Sequence, residues 1–218
     1  MSAPAYVMRA AGPSDLEGFK QLRAIAGAGF TSLMLDDKAM AERLESSRHS
    51  FASPASGPGK ERYFIALEHI ASGQLAGCCG VKSTIGETPP FFNFRLITEA
   101  QSSAIVGKRF DMRVLIGVND FTGCTEVGSL FVRPEHRAAG VGRALAQCRY
   151  MLMKTAPHRF NEQVVSELRG VVSREGVSPF WEAVGRHFFR GCDGRKRRSG
   201  YPSPTRSRPG CRWWRISG

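Results

Sequence analysis

The chain has 218 residues, 42% hydrophobic and 23% charged, which suits a globular protein of one large domain or one and a half ordinary ones. No run approaches the ~18 consecutive apolar residues of a membrane span, and the opening "MSAPAYVMRAAGPSDLEG" lacks a signal-peptide core, so neither a membrane partner nor export is expected. The net charge of +12 suggests nucleic acid until it is mapped: nine basic residues and one acid fall in residues 190–218, leaving only +4 for residues 1–189.

"YVMRA" (6–10) reads as a short strand, followed by a helix that Ser14 caps and that runs to about Ala24, with Asp15 and Glu17 in its first turn. The loop "AGAGFTSL" (26–33) leads to a second helix near residues 37–48, and "SFASPASGPGKE" is a further loop. "RYFIALE" (62–68) and "QLAGCCGVKST" (74–84) read as a hairpin with Ser72 and Gly73 in its turn. "PPFFNFRLITEA" is a further strand, whereas residues 102–123 show no clear pattern. A strand at 126–132 precedes a helix from about Gly140 to Ala156, in which Val141, Ala144, Leu145, Cys148 and Leu152 recur at helical spacing. "EQVVSELRGVV" is a strand, and "SPFWEAVGRHFF" opens a helix with Ser178 as cap and Pro179 at the first position. The order predicts an α/β fold with a mixed sheet flanked by helices. The six cysteines show no C-x-x-C pair and no zinc spacing with the five histidines, so reduced thiols in a cytoplasmic protein and no metal are expected.

Residues 190–218, "RGCDGRKRRSGYPSPTRSRPGCRWWRISG", break with this pattern: five glycines, three prolines and four serines show no apolar periodicity. Three readings stand: a disordered basic arm, a nucleic-acid module using Arg212-Trp213-Trp214-Arg215 for stacking and phosphate contact, or an out-of-frame reading of GC-rich DNA from near residue 190. The last accounts best for the composition, and no nucleic-acid partner is expected.

The sharpest motif is "RPEHRAAGVGRAL" (133–145), directly behind the apolar run "EVGSLFV". It is neither G-x-G-x-x-G, because Leu145 stands at the third glycine position, nor a P-loop, because no lysine follows Gly142. Strand, then R-x-x-G-x-G, then helix is the pattern of acyl-CoA binding in the GNAT acyltransferase superfamily. The physics suits a diphosphate: the first N–H groups of a helix are unpaired, its dipole favours an anion there, and glycines let oxygens approach the backbone. Arg137 and Arg143 add positive charge beside Ala139, Gly140, Val141 and Gly142. A tight turn before a helix is the bland alternative.

Four further blocks carry a closer likeness: "GFTSL" (29–33), "PFFNFR" (90–95), "NDFTGCTEVGSLFVRPEHRAAGVG" (119–142) and "FNEQVVSELRGVVSREGVSPFWEAVGRHFF" (160–189). From Tyr6 to about Phe189 the chain resembles the arginine N-succinyltransferase family. That resemblance implies a GNAT-like fold, transfer of succinyl from succinyl-CoA to the α-amino group of L-arginine or ornithine in bacterial arginine catabolism, and a homo- or hetero-oligomer. It divides the chain into a GNAT-like acyl-CoA-binding domain (1–189) and a disordered basic tail (190–218) standing where relatives continue into a second GNAT-like half. The family's proton-donor histidine lies in that half and no residue here matches it, so this chain is expected to keep its CoA loop and turn over poorly. Apolar surface near Phe180, Trp181, Phe188 and Phe189 is then expected to be exposed.

The resemblance also distributes roles. The strand before the glycine loop splays and pairs its backbone with pantetheine at Leu130 and Val132, although Leu130 serves equally as a core residue. Glu126 draws the amine proton through water, or is a solvated strand-end glutamate. Asp120, with Glu126, pairs the guanidinium; Arg95 meets the succinyl carboxylate or makes a surface ion pair; Thr31 and Ser32 contact substrate. His136 reads as packing or surface, and His187 as structural. Another GNAT acyltransferase with a different amine acceptor, or a non-catalytic CoA-binding or nucleic-acid-binding protein, remain the alternatives.

Overall fold

A computed structural model describes residues 5–26, 30, 32–137, 140–168, 170, 171, 173 and 177–188. The basic tail, Phe189, Thr31 and Ala139 lie outside the described residues.

Strand β1 (Tyr6–Ala10) pairs antiparallel with β2 (Arg62–His69), which turns at Gly73 into β3 (Gln74–Lys82). β4 (Asn93–Ser103) and β5 (Lys108–Val118) form a separate two-stranded arm. β6 (Thr125–Val132) returns beside β3, and β7 (Val164–Val165) lies parallel to it. The main sheet therefore runs β1-β2-β3-β6-β7, antiparallel except at its last pair, and is mixed as expected.

Helices cover both faces. α1 (Leu16–Ala26) and α2 (Asp37–Ala52) bring Phe19, Leu22, Met40 and Leu44 onto Phe64, Ala66, Leu75, Cys78 and Phe131. α3 (Val141–Thr155) presents Val141, Leu145, Cys148 and Leu152 to Ile65, Leu67, Ala76, Cys79 and Val132 on the other face. The 3.6-residue repeat of each helix thus meets the two-residue repeat of the strands, and the central strands are buried on both sides. No helix among the described residues is long and apolar enough to cross a membrane.

Some local expectations are corrected. Ser14 does not cap α1. A 3-10 turn (Pro13–Asp15) precedes the helix, with Gly12 at the cap and the Asp15 carboxylate accepting the Gly12 N–H at 2.9 Å. The pattern Gly-Pro places proline at the first helical position, where its missing N–H is harmless. α2 extends into the predicted loop to Ala52, and its cap is Asp36, whose carboxylate accepts the Ala39 N–H. The strand predicted over "EQVVSELRGVV" shrinks to two residues because only Thr125 and Glu126 of β6 face it. Ser178 does cap its helix, accepting the Trp181 N–H at 3.4 Å, and a π turn spans Trp181–Gly185. Phe180 and Trp181 are half-buried rather than exposed, with the Phe180 ring 5.5 Å from that of Phe94.

The arm is an excursion between adjacent strands. Its root is fastened where Ile85 N–H donates to Cys124 O at 3.0 Å and Gly123 N–H donates to Ile85 O at 2.8 Å. Ile85, Phe91 and Cys124 form a small core beneath, with Phe121 and Val165 packed against it.

Candidate functional site

The glycine motif sits where the sequence predicts, between the end of β6 and α3. Gly140 caps α3 with φ +90°, a left-handed conformation that glycine adopts without strain, and Ala144 N–H is the donor to Gly140 O at 2.8 Å. The N–H groups of the first turn are thus left for something outside the helix. A side chain at Gly142 would meet nothing within 4 Å, and its backbone is ordinary helix. Glycine there costs about 1 kcal/mol of helix stability relative to alanine. No packing demand among the described residues accounts for it.

Two cationic groups flank the loop. Arg137 Nε donates to Val132 O at 3.0 Å and its guanidinium lies 5.9 Å from the Phe131 ring, which fixes it at the end of β6. Arg143 is exposed on the first turn of α3. The Phe30 ring stands 5.0 Å from the Phe131 ring, so the loop holding Ser32 closes on the same strand end. Ser32 itself gives its carbonyl to Arg43 at 2.9 Å.

β6 changes character along its length. Ser129 has φ +54°, and the register with β3 shifts so that Ser129 and Leu130 together oppose Cys79. This bulge turns the strand. On the opposite edge β7 pairs only at Val164 and Val165, so beyond Glu126 that edge of β6 has no strand partner among the described residues. An opened strand edge offers backbone N–H and C=O groups to an extended ligand. Leu130 and Val132 meanwhile turn their side chains into the α3-facing core, leaving the backbone to serve.

Glu126 occupies the junction. It is 7% exposed and its carboxylate takes a hydrogen bond from Lys82 Nζ at 2.6 Å, directly across the β3–β6 ladder. It is not a solvated strand-end group. Its register partner Val165 lines a cavity of about 670 Å³, together with Asn93, Arg95, Asp120, Gln163, Ser166 and Glu167. Arg95 and Asp120 pair with one another at 2.6 Å on its wall. The structure therefore gathers the candidates into two places, the glycine loop with the end of β6, and the cavity at the arm's root, with Glu126 between.

Sequence reasoning missed Lys82, Asn93, Gln163 and Glu167. Lys82 meets Glu126 only through the β3–β6 ladder, between strands distant in sequence; the others depend on a two-residue strand and an arm without pattern. His136 is a packing residue: Tyr6 Oη lies 3.1 Å from its Nδ1 and Gln74 Oε1 3.3 Å from its Nε2. His187 is exposed. No group of three or more His, Cys, Asp or Glu among the described residues could hold a metal ion. The four cysteines among the described residues are free, and burial pushes the Cys78 thiol up to about 12, marking it as inert packing.

Comparison with known proteins matches this geometry. The family described as arginine N-succinyltransferase beta subunit matches residues 6–192. The arginine N-succinyltransferase of Enterobacter sp. (strain 638) is 35% identical over 185 residues, covering 84% of this chain and 53% of the relative. That of Salmonella typhi is 33% identical over 183 residues with the same coverage. Among solved structures, the arginine/ornithine succinyltransferase subunit AI from Pseudomonas aeruginosa aligns with a TM-score of 0.81 at 33% identity, over 90% of this chain and 59% of that one. The chain spans about half the length of the curated relatives it matches. Its glycine loop, its opened strand and this shared sequence agree, and the chain belongs to the arginine N-succinyltransferase family.

Proposed function

We propose that the chain transfers succinyl from succinyl-CoA to the α-amino group of L-arginine, acting in the cytoplasm as part of a homo- or hetero-oligomer. The observation that carries this reading is an unfilled glycine loop beside a strand edge that has lost its partner, in a chain of this family. The description of the matched family as a beta subunit, and of the Pseudomonas aeruginosa protein as subunit AI, supports an assembly.

The diphosphate lies against the N–H groups of Val141, Gly142 and Arg143, with Arg137 and Arg143 balancing charge. The two glycines, with Val141 between them, admit it; Ala139 belongs to the same loop. Pantetheine runs along β6 at Leu130 and Val132, which places the thioester near the opening beyond Glu126. The acceptor occupies the cavity, with Asp120 facing its cationic end and Arg95 facing a carboxylate; Ser32 contacts substrate from its loop at the other end of β6, where Phe30 meets Phe131, and the family likeness assigns Thr31 the same part.

An α-ammonium group titrates near pH ~8 and must lose a proton before its nitrogen attacks the thioester carbon. Glu126 draws that proton through water, and Lys82 holds its carboxylate in place. A β6 N–H stabilises the developing oxyanion. The C–S bond then breaks, and the CoA sulfur leaves as thiolate and takes up a proton.

Free-thiol release from succinyl-CoA, measured with L-arginine, L-ornithine or no acceptor, tests the reading. Acceptor-dependent release, fastest with arginine, is expected; release indifferent to the acceptor would overturn it. Glu126→Gln should lower the rate most at low pH, where deprotonating the amine is hardest, and an unchanged pH profile would remove Glu126 from the mechanism.

A further inference from the structure

The outer edge of β5 has no strand partner among the described residues, because the arm is a sheet of two strands. An open row of N–H and C=O groups pairs readily with another chain, and folded proteins blunt such edges with proline, a bulge or short length. β5 uses none of these. It runs without proline from Lys108 to Val118, in unbroken register with β4.

Its sequence is also complementary to itself. Phe110, Asp111, Met112, Arg113 and Val114 are consecutive, with opposite charges on either side of a central methionine. Two copies related by a two-fold axis normal to the ribbon would pair antiparallel, and residues set opposite one another share a face. With Met112 opposite its own copy, Asp111 of each chain faces Arg113 of the other, and Phe110 faces Val114. Centring the pair on Asp111 or Arg113 instead sets like charges opposite, which is unfavourable. Asp111 already takes a hydrogen bond from Arg109 Nε of its own strand at 3.2 Å, and a carboxylate has room for a second donor.

The apolar side chains favour the same arrangement. Phe110, Met112 and Ile116 are 54%, 37% and 43% exposed on one face of the arm, with Ile97 and Val114 half-buried beside them. The outer part of the other face is polar, where Thr98 pairs with Arg113, Ala100 with Asp111 and Ser102 with Arg109. Joining two copies would bring both apolar stripes together on one side of a four-stranded sheet. A two-stranded ribbon is marginal alone, and three or more strands with an apolar face are far more stable.

We propose that β5 is a self-association edge: two copies of this chain pair antiparallel through it, centred on Met112, in the order β4-β5-β5-β4. This gives the assembly proposed above a surface and an occupant, and it draws on nothing in the succinyl-transfer chemistry.

Sedimentation equilibrium of the full chain over a wide range of concentration tests the pairing. Wild type should exchange between monomer and dimer. Asp111→Arg and Arg113→Asp each set like charges opposite at both symmetric positions, so each should weaken the dimer at least ~10-fold. An equimolar mixture of the two variants sets opposite charges at both positions again and should dimerise as wild type does. Met112→Cys gives a second readout that needs no charge change. Its two thiols meet on the axis, within the span a disulfide bridges, so glutathione disulfide should cross-link this variant and not wild type. A wild type that stays monomeric, single variants that dimerise undiminished, or a mixture that stays monomeric would overturn the assignment. So would a Met112→Cys variant that does not cross-link.

Discussion

In β2, Phe64 and Ala66 meet α1 and α2 while Ile65 and Leu67 meet α3; in β5, the alternating Phe110, Met112 and Ile116 meet solvent. Both strands carry apolar residues at period two, yet one is buried on both faces and the other on neither. Alternation specifies a strand and its pleat. Burial depends on what the chain folds over it, and the described residues cover the arm only at its root. A two-stranded ribbon is marginal alone, so the arm relies on its fastened root and the small core of Ile85, Phe91 and Cys124.

This contrast can be broken by mutation. Phe19→Ala, at a side chain with no exposure between α1 and β2, should cost about 4 kcal/mol, whereas Phe110→Ala on the arm should stay within about 0.5 kcal/mol. Urea unfolding of the monomer measures both, and a comparable loss at Phe110 would mean that the arm is packed in solution. Gly142→Val sharpens the contrast from inside the body: with no atom near its Cβ, stability should hardly change. Its affinity for succinyl-CoA should fall at least ~100-fold, about 2.7 kcal/mol, in calorimetric titration. Unaltered affinity would sink the diphosphate assignment.

The smallest effect concerns the first turn of the body. Burial would raise the Asp15 carboxyl, but hydrogen bonds from Arg9 and the Gly12 N–H outweigh it and hold the group below its ordinary 3.8. A depressed carboxyl stabilises the fold above its unfolded value and loses that stabilisation as pH falls through its folded one. Asp15→Asn should therefore destabilise by about 2 kcal/mol at pH 7. The gap to wild type should close as the pH falls below about 4, and a constant gap down to pH 2 would assign the loss to packing.

Strands β1, β2, β3 and β6 were legible because each either alternates or forms a short apolar run beside a turn signal, and the three long helices repeat their apolar residues. β5 was not. "KRFDMRVLIGV" does alternate, but its turn, "AIVG", looks like core: Ile105 is 98% exposed there, and only Gly107, at φ +61°, signals a reversal. The short β7 failed for a different reason, since its length is set by where β6 bends and not by its own residues. At the site, the glycine loop could be read locally because its chemistry lies in consecutive residues. The pairings Lys82–Glu126 and Arg95–Asp120 join residues 44 and 25 apart.

The fastening of the arm at Ile85 and Cys124 also bears on how the molecule assembles. Bringing Lys82 to Glu126 closes a loop of 44 residues, and loop-closure entropy falls by about 0.6 kcal/mol for each halving of length. The β4–β5 ribbon is held by local pairing in a continuous register from Asn93↔Val118 to Ser103↔Lys108. Zipped first, it reduces that loop to its two short ends. The same register then acts as a ruler. A slip of one residue along the ribbon would turn the even-numbered stripe of β5 over and carry Asn93 away from its place opposite Val118, so the accuracy of a distant hairpin turn is carried into the cavity at its base.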